Sequence, residues 1–117
     1  MHIIIKIIII SILFIICDLP WLLFNKSWFV PMMSAIQGSK VSMLIWPIFI
    51  IYPAMSFLLL QSTSILHAAA IGGAAYAVYD FTNLATIKDY QLSFAIADTL
   101  WGAILFAIVK AVSSYVI

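Results

Sequence analysis

The sequence contains no arginine and no glutamate, and only 8% of its residues are charged. The whole inventory is Lys6, Lys26, Lys40, Lys88 and Lys110 against Asp18, Asp80, Asp89 and Asp98. Without arginine there is no bidentate clamp for phosphate. A net charge of +1 with no basic cluster leaves no electrostatic footprint for nucleic acid. Cys17 is the sole cysteine, which excludes an internal disulfide and a cysteine-based metal site. It reads as a small apolar packing residue. Zinc motifs, a P-loop, a Ser-His-Asp order and a glycine-rich dinucleotide fingerprint are all missing, so no cofactor is implied and catalytic residues stay unassigned.

What is there is apolar. Hydrophobic residues make up 67% of the chain, where a soluble domain holds about 45–50%. Too few polar residues remain to coat a globule, so lipid must be the solvent for most of the surface. The chain reads as one transmembrane domain over residues 1–117, an all-α four-helix bundle and a multi-pass membrane protein. The spans are expected at about residues 3–24, 41–60, 65–87 and 91–115. Each is long enough for a hydrocarbon core of about 30 Å. Pro20 is expected to kink the first span, and Pro47 and Pro53 the second. Residues 25–40, carrying Pro31, Gly38, Lys26 and Lys40, read as the longest loop, either lying on the bilayer or folded over the bundle mouth. The lysine count is nearly balanced between the two sides and leaves orientation open.

Within this apolar chain the carboxylates of Asp18, Asp80 and Asp98 stand out. A carboxylate inside a membrane helix is costly and points to a functional site by default. Ala69, Gly73 and Ala77 form a small-xxx-small stripe for close helix approach, with the third helix central. Asp80 lies one turn beyond that stripe, so its carboxylate is expected to face the bundle. Asp98 repeats the pattern between Ala95 and Gly102. In an alternating topology each of the three acids lies six or seven residues from an expected helix end on the same face. At about 1.5 Å per residue this puts all three roughly 10 Å deep. Asn83 and Thr82 lie close by in sequence, and Trp46 and Pro47 reach the same layer. The expected site is an acidic pocket of Asp18, Asp80 and Asp98 walled by Asn83, Thr82, Trp21 and Trp101. Asp18-Leu19-Pro20-Trp21 and Asp98-Thr99-Leu100-Trp101 are two Asp-x-x-Trp copies, from which no repeat is inferred.

These residues carry a resemblance. Asp18 through Trp21, Gly73 through Tyr76, the run Tyr79-Asp80-Phe81-Thr82-Asn83-Leu84-Ala85-Thr86, and Asp98-Thr99-Leu100-Trp101-Gly102 are similar to a family of small predicted four-helix membrane proteins of bacteria and large DNA viruses, a domain of unknown function. Its marks are Tyr-Asp-x-Thr-Asn-x-Ala-Thr and Asp-x-x-Trp-Gly. The sequence departs from that pattern at Pro20 and at Lys88-Asp89-Tyr90, where a Gly-Trp-like turn is expected. The resemblance implies a four-helix membrane protein and supplies no activity.

Three clustered carboxylates in a low dielectric cannot all keep their charge. No lysine lies at their depth, so a proton, a metal cation, an amine or a neutral polar group must meet them. The first function this allows is binding or transport of a cation, a proton-coupled solute or a polar lipid headgroup. The second is a structural or accessory membrane protein whose polar groups only tie helices together. The third is a small intramembrane or lipid-modifying enzyme, although Ala95-Ile96-Ala97-Asp98 lacks the glycines of an intramembrane aspartyl protease. The expected partners are the lipid bilayer and a cation or small polar ligand, with no nucleic acid. Self-association is allowed by the large lipid-facing surface and required by nothing.

Overall fold

The computed structural model describes residues 1–117 as four α-helices without a strand. They are α1 (Ile3–Gln37), α2 (Ile48–Leu60), α3 (Ile65–Thr86) and α4 (Leu92–Ser113). Their outward faces are bare hydrocarbon: Leu23 is 72% exposed, Phe49 79% and Leu66 81%. Lipid covers such faces without cost.

α1 is much longer than residues 3–24. The helix runs through Pro20 and Pro31 and stops only at Gly38, whose φ of 71° is left-handed and whose N–H bonds the Ser34 carbonyl. The reason lies in spacing. Beyond Asn25 the side chains of Trp28, Met32 and Ile36 recur at helical intervals. They pack with Phe29 against Tyr90, Phe94 and Ala95. Trp28 meets Phe94 edge-on at 5.3 Å between ring centroids. The expected loop over residues 25–40 is therefore helical up to Gln37, and Asp18 lies mid-helix rather than near an end.

α2 is shorter than expected. Residues 41–44 adopt no regular structure, and the helix starts after Pro47. Proline disfavours helical geometry in the residue before it and is tolerated in the first turn, so Trp46-Pro47 starts a helix here and does not kink one. Trp46 is 62% exposed and stays outside the bundle.

α3 begins at Ser64, whose side chain accepts the His67 N–H at 3.0 Å. Its buried residues are Ala68, Gly72 and Asp80. With Tyr76 they form the inward row, one residue away from the expected Ala69, Gly73 and Ala77, which are only half-buried. The crossing explains the shift. A Cβ on Gly72 would lie 2.5 Å from the Gly102 carbonyl oxygen and clash with the Phe106 ring, whereas one on Gly73 would meet Ala103 Cβ at an ordinary 3.4 Å. Both sequence neighbours are glycines, so only the docked helices distinguish them.

α4, and not α3, is the central helix. It buries Phe94, Ala95, Asp98, Gly102, Leu105, Phe106, Val109 and Ser113 along its length. Leu105, Phe106 and Val109 join Ile10, Phe14, Tyr52, Met55, Leu59 and Ala68 in one core fed by all four helices. Phe14 and Phe106 sit at its centre, 4.9 Å apart. Lys110 secures the lower end by donating to the Ser62 carbonyl at 2.8 Å. At the upper end the α3–α4 turn passes through Asp89 at φ 67°, a left-handed conformation that glycine adopts most readily.

Two helices, α1 and α4, are long and apolar enough to cross a membrane. α2 is apolar with 13 residues, about 20 Å at 1.5 Å per residue. α3 has 22 residues and a less apolar composition.

Candidate functional site

The three intrahelical aspartates are buried in the bundle interior. Asp80 is fully buried, Asp18 is 4% exposed and Asp98 6%. Each is placed by a helix row already described: Asp80 by the Gly72–Tyr76 row of α3, Asp98 by the Ala95–Gly102 row of α4, and Asp18 by the α1 face that carries Phe14. Their donors differ in kind and in closeness.

Asp18 is held tightly. The Tyr52 hydroxyl donates to Oδ2 at 2.7 Å and the Trp101 indole N–H donates to Oδ1 at 2.8 Å. Three helices meet at this carboxylate. Asp98 Oδ1 accepts the Trp21 indole N–H at 2.8 Å. The two Asp-x-x-Trp segments therefore exchange partners: each tryptophan bonds the aspartate of the other segment. Their indoles stack, 5.7 Å between centroids at an interplanar angle of 21°. Antiparallel α1 and α4 make this exchange geometrically natural, because Trp follows Asp by one turn on each.

Asp80 is held loosely. Tyr90 donates to Oδ1 at 3.3 Å and Thr99 to Oδ2 at 3.4 Å, both near the outer limit for such bonds. Its acidic neighbour is Asp98, the residue before the Thr99 that donates to it, and the two carboxyls lie side by side. Two carboxylate oxygens cannot bond each other without a proton between them. Asp98 is also the acidic neighbour of Asp18. Burial pushes the Tyr90 phenol, in the turn above, upward from its ordinary range, so it stays a donor.

No base stands in this layer. Lys26, Lys40 and Lys88 are exposed, and Lys110 is committed to the Ser62 carbonyl. Every protein donor to the carboxylates is neutral: two indoles, two phenols and one hydroxyl. The three acids do not converge as a three-ligand metal centre.

Of the residues singled out from the sequence, Asp18, Asp80, Asp98, Trp21 and Trp101 are brought together. Asn83 is near the site, but its amide lies beside the Tyr79 and Tyr90 phenols and not on a carboxylate. Thr82 is exposed, and the only bond there is from Thr86 to its backbone carbonyl. Sequence reasoning missed Tyr52, Tyr76, Tyr90 and Thr99. Tyr76 was signalled by its position one turn before Asp80 on the same row. Tyr52 carried no such signal, because its register depends on where α2 starts. Asn25, one turn past Trp21, buries an Oδ1 that accepts no hydrogen bond.

A half-open groove of about 260 Å³ lies between α1 and α2, lined by Ile7, Ser11, Ile15, Phe49, Tyr52 and Pro53 among others. It touches the acidic layer only through Tyr52. Such an arrangement can store a proton, hold one small cation, or lock helices together.

No curated protein and no solved structure matches the chain. The model of a family described as predicted membrane protein (DUF2177) matches residues 3–115. With a bundle faced in hydrocarbon, two helices fit to cross a bilayer and a family match over nearly all its residues, the chain belongs to the DUF2177 family of membrane proteins.

Proposed function

We propose that this membrane protein binds and releases a proton at the Asp80–Asp98 pair, as the ionisable centre of a proton-coupled transport module. All four helices lie in the membrane in this reading, α3 crossing as one arm of its hairpin with α4. The observation that carries it is the juxtaposition of two buried carboxyls, Asp80 and the Asp98 beside its donor Thr99, with no basic residue in their layer. Such a pair is stable only when a proton or a small monovalent cation compensates it. The loose bonds from Tyr90 and Thr99 leave Asp80 free to exchange what it holds. A divalent metal is disfavoured, because the third carboxylate does not complete a ligand set.

Asp18 favours a second reading for itself alone. Two short bonds from Tyr52 and Trp101 make it a clip joining α1, α2 and α4. A structural role for Asp18 and an exchanging role for Asp80–Asp98 are compatible.

The test is infrared titration of the purified protein in lipid nanodiscs. A carboxyl C=O band should titrate in the wild type and vanish in Asp80→Asn and in Asp98→Asn, while both variants stay folded. Vesicles carrying the wild type should also pass protons faster than vesicles carrying Asp80→Asn. A titrating band that survives both substitutions would place the ionisable centre elsewhere.

A further inference from the structure

We propose that the cleft between α1 and α2 seats one anionic phospholipid, its phosphate against Lys6 and Lys110 at the lower end and one acyl chain along the groove above. The site is separate from the aspartates and stands without the proton-binding reading.

The two helices run antiparallel in a register that their contacts fix. The Ser11 and Ser56 hydroxyls are hydrogen-bonded at 3.0 Å. Five residues below that bond, Lys6 and Gln61 border one hollow; four residues above it, Ile15 and Tyr52 border another. Each hollow has a volume of about 260 Å³. The upper one is walled by hydrocarbon, from Ile8, Ile12 and Ile15 on α1 to Phe49 and Pro53 on α2. Ile8, Ile12, Ile15 and Phe49 are exposed, so the groove faces the lipid. The lower one is lined by Ile3, Lys6, Leu60 and Gln61. A polar mouth below an apolar shaft matches an amphiphile with one charged end.

The lysines set the sign of that end. Lys6 is half-buried in the mouth. Lys110 donates to the Ser62 carbonyl at 2.8 Å, which holds a second ammonium one residue from Gln61. An ammonium has three donors, so Lys110 keeps two for a ligand. No acidic side chain lies at this end: Asp18, Asp80 and Asp98 are buried higher in the bundle, and Asp89 sits in the opposite turn. Basic pockets between membrane helices take anionic headgroups. Lysine binds phosphate as a point charge, so the lack of arginine is no obstacle.

The length of the cleft agrees. Ile15 lies nine residues above Lys6 on α1, about 14 Å at 1.5 Å per residue. That is about half of a hydrocarbon core of roughly 30 Å, the depth of one leaflet and therefore of one acyl chain. A zwitterionic lipid would bring a cationic group to the same two lysines. A second copy of the chain, docked through this face about an axis along the bilayer normal, would set Lys6 against Lys6.

The test uses the full chain, delipidated in mild detergent and titrated with phosphatidylglycerol or phosphatidylcholine of matched acyl chains. Native mass spectrometry counts the lipid retained, and thermal unfolding reads the stabilisation it brings. One phosphatidylglycerol per chain should be retained, about 20-fold more tightly than phosphatidylcholine, the weight of two basic residues beside an anionic lipid. Lys6→Gln should weaken that retention about fivefold, the share of one lysine. Lys110→Gln should do the same, read as the lipid-dependent shift in unfolding so that the lost Ser62 bond does not enter. Lys26→Gln, at the other end of the bundle, should leave retention unchanged. Ile12→Trp fills the groove and should abolish retention, and glycerol phosphate, which has no acyl chain, should not shift the wild-type midpoint. Equal retention of the two lipids would overturn the site, as would a Lys6→Gln variant that behaves like Lys26→Gln. A midpoint shift by glycerol phosphate as large as the lipid's would reduce it to a phosphate site, and a dimer in place of the lipid adduct would assign the face to a second copy; either result refutes the proposal.

Discussion

Trp21 and Trp101 stack across the α1–α4 interface, and each donates its indole N–H to the aspartate one turn before the other. This exchange gives the bundle a local two-fold character perpendicular to the helices. It also makes two bonds and one stacking contact interdependent.

Trp21→Phe and Trp101→Phe should therefore cost similar amounts of stability. Each strips a buried carboxylate oxygen of its donor, at about 1–3 kcal/mol. The double variant should be less destabilised than the sum of the singles, with a coupling of about 0.5–1.5 kcal/mol from the stacked pair. Thermal or denaturant unfolding in mild detergent measures all three. Strict additivity would show that the two bonds act independently.

The three glycines near the α3–α4 crossing should separate sharply. Gly72→Ala and Gly102→Ala place a Cβ against Phe106 and Tyr76, and should destabilise by about 1–3 kcal/mol or more. Gly73→Ala meets only Ala103 at 3.4 Å and gains helix propensity, so it should be neutral or stabilising by up to about 1 kcal/mol. Equal losses at Gly72 and Gly73 would contradict the register of the crossing.

The two tyrosines that hold carboxylates should also differ. Tyr52→Phe removes a 2.7 Å bond to Asp18 and should cost about 1–3 kcal/mol. Tyr90→Phe removes a 3.3 Å bond to Asp80 and should cost less, about 0.5 kcal/mol. Unfolding midpoints of the two variants, compared in one detergent, give the order directly.

Asp89 occupies a left-handed backbone position at φ 67°. Asp89→Gly should change stability by less than about 1 kcal/mol, because glycine adopts this conformation freely but loses more chain entropy. Asp89→Val should cost about 1–2 kcal/mol, since a branched Cβ crowds the carbonyl there. A valine variant as stable as the glycine variant would argue against this turn geometry.

Much of the site was legible in sequence because lipid is an exacting solvent. A carboxylate within an apolar helix must face inward, so Asp18, Asp80 and Asp98 could be assigned to the interior before any packing was known. Periodicity alone was weaker. The small-residue stripe could be drawn through Ala69 and Gly73 or through Ala68 and Gly72, and both rows are small. Thr82 shared the polar run with Asp80, yet two residues further along a helix means the opposite side. Depth counted from Phe24 puts Asp18 near a helix end, but the Trp28–Met32–Ile36 row carries α1 on to Gln37.

Composition by itself determined the class: a chain of 67% hydrophobic residues with 8% charge belongs in a bilayer, and the acids within its helices must find polar partners inside the bundle. Only the tertiary structure decided which groups meet them. That Trp21 serves Asp98 while Trp101 serves Asp18, that Tyr52 reaches α1, and that Tyr76 crosses over Gly102 all depend on how far one helix is displaced along another. That displacement is fixed by shape, by where a Cβ is missing and where an aromatic ring fills the gap. Such complementarity joins residues distant in sequence, and no local pattern in the chain encodes it.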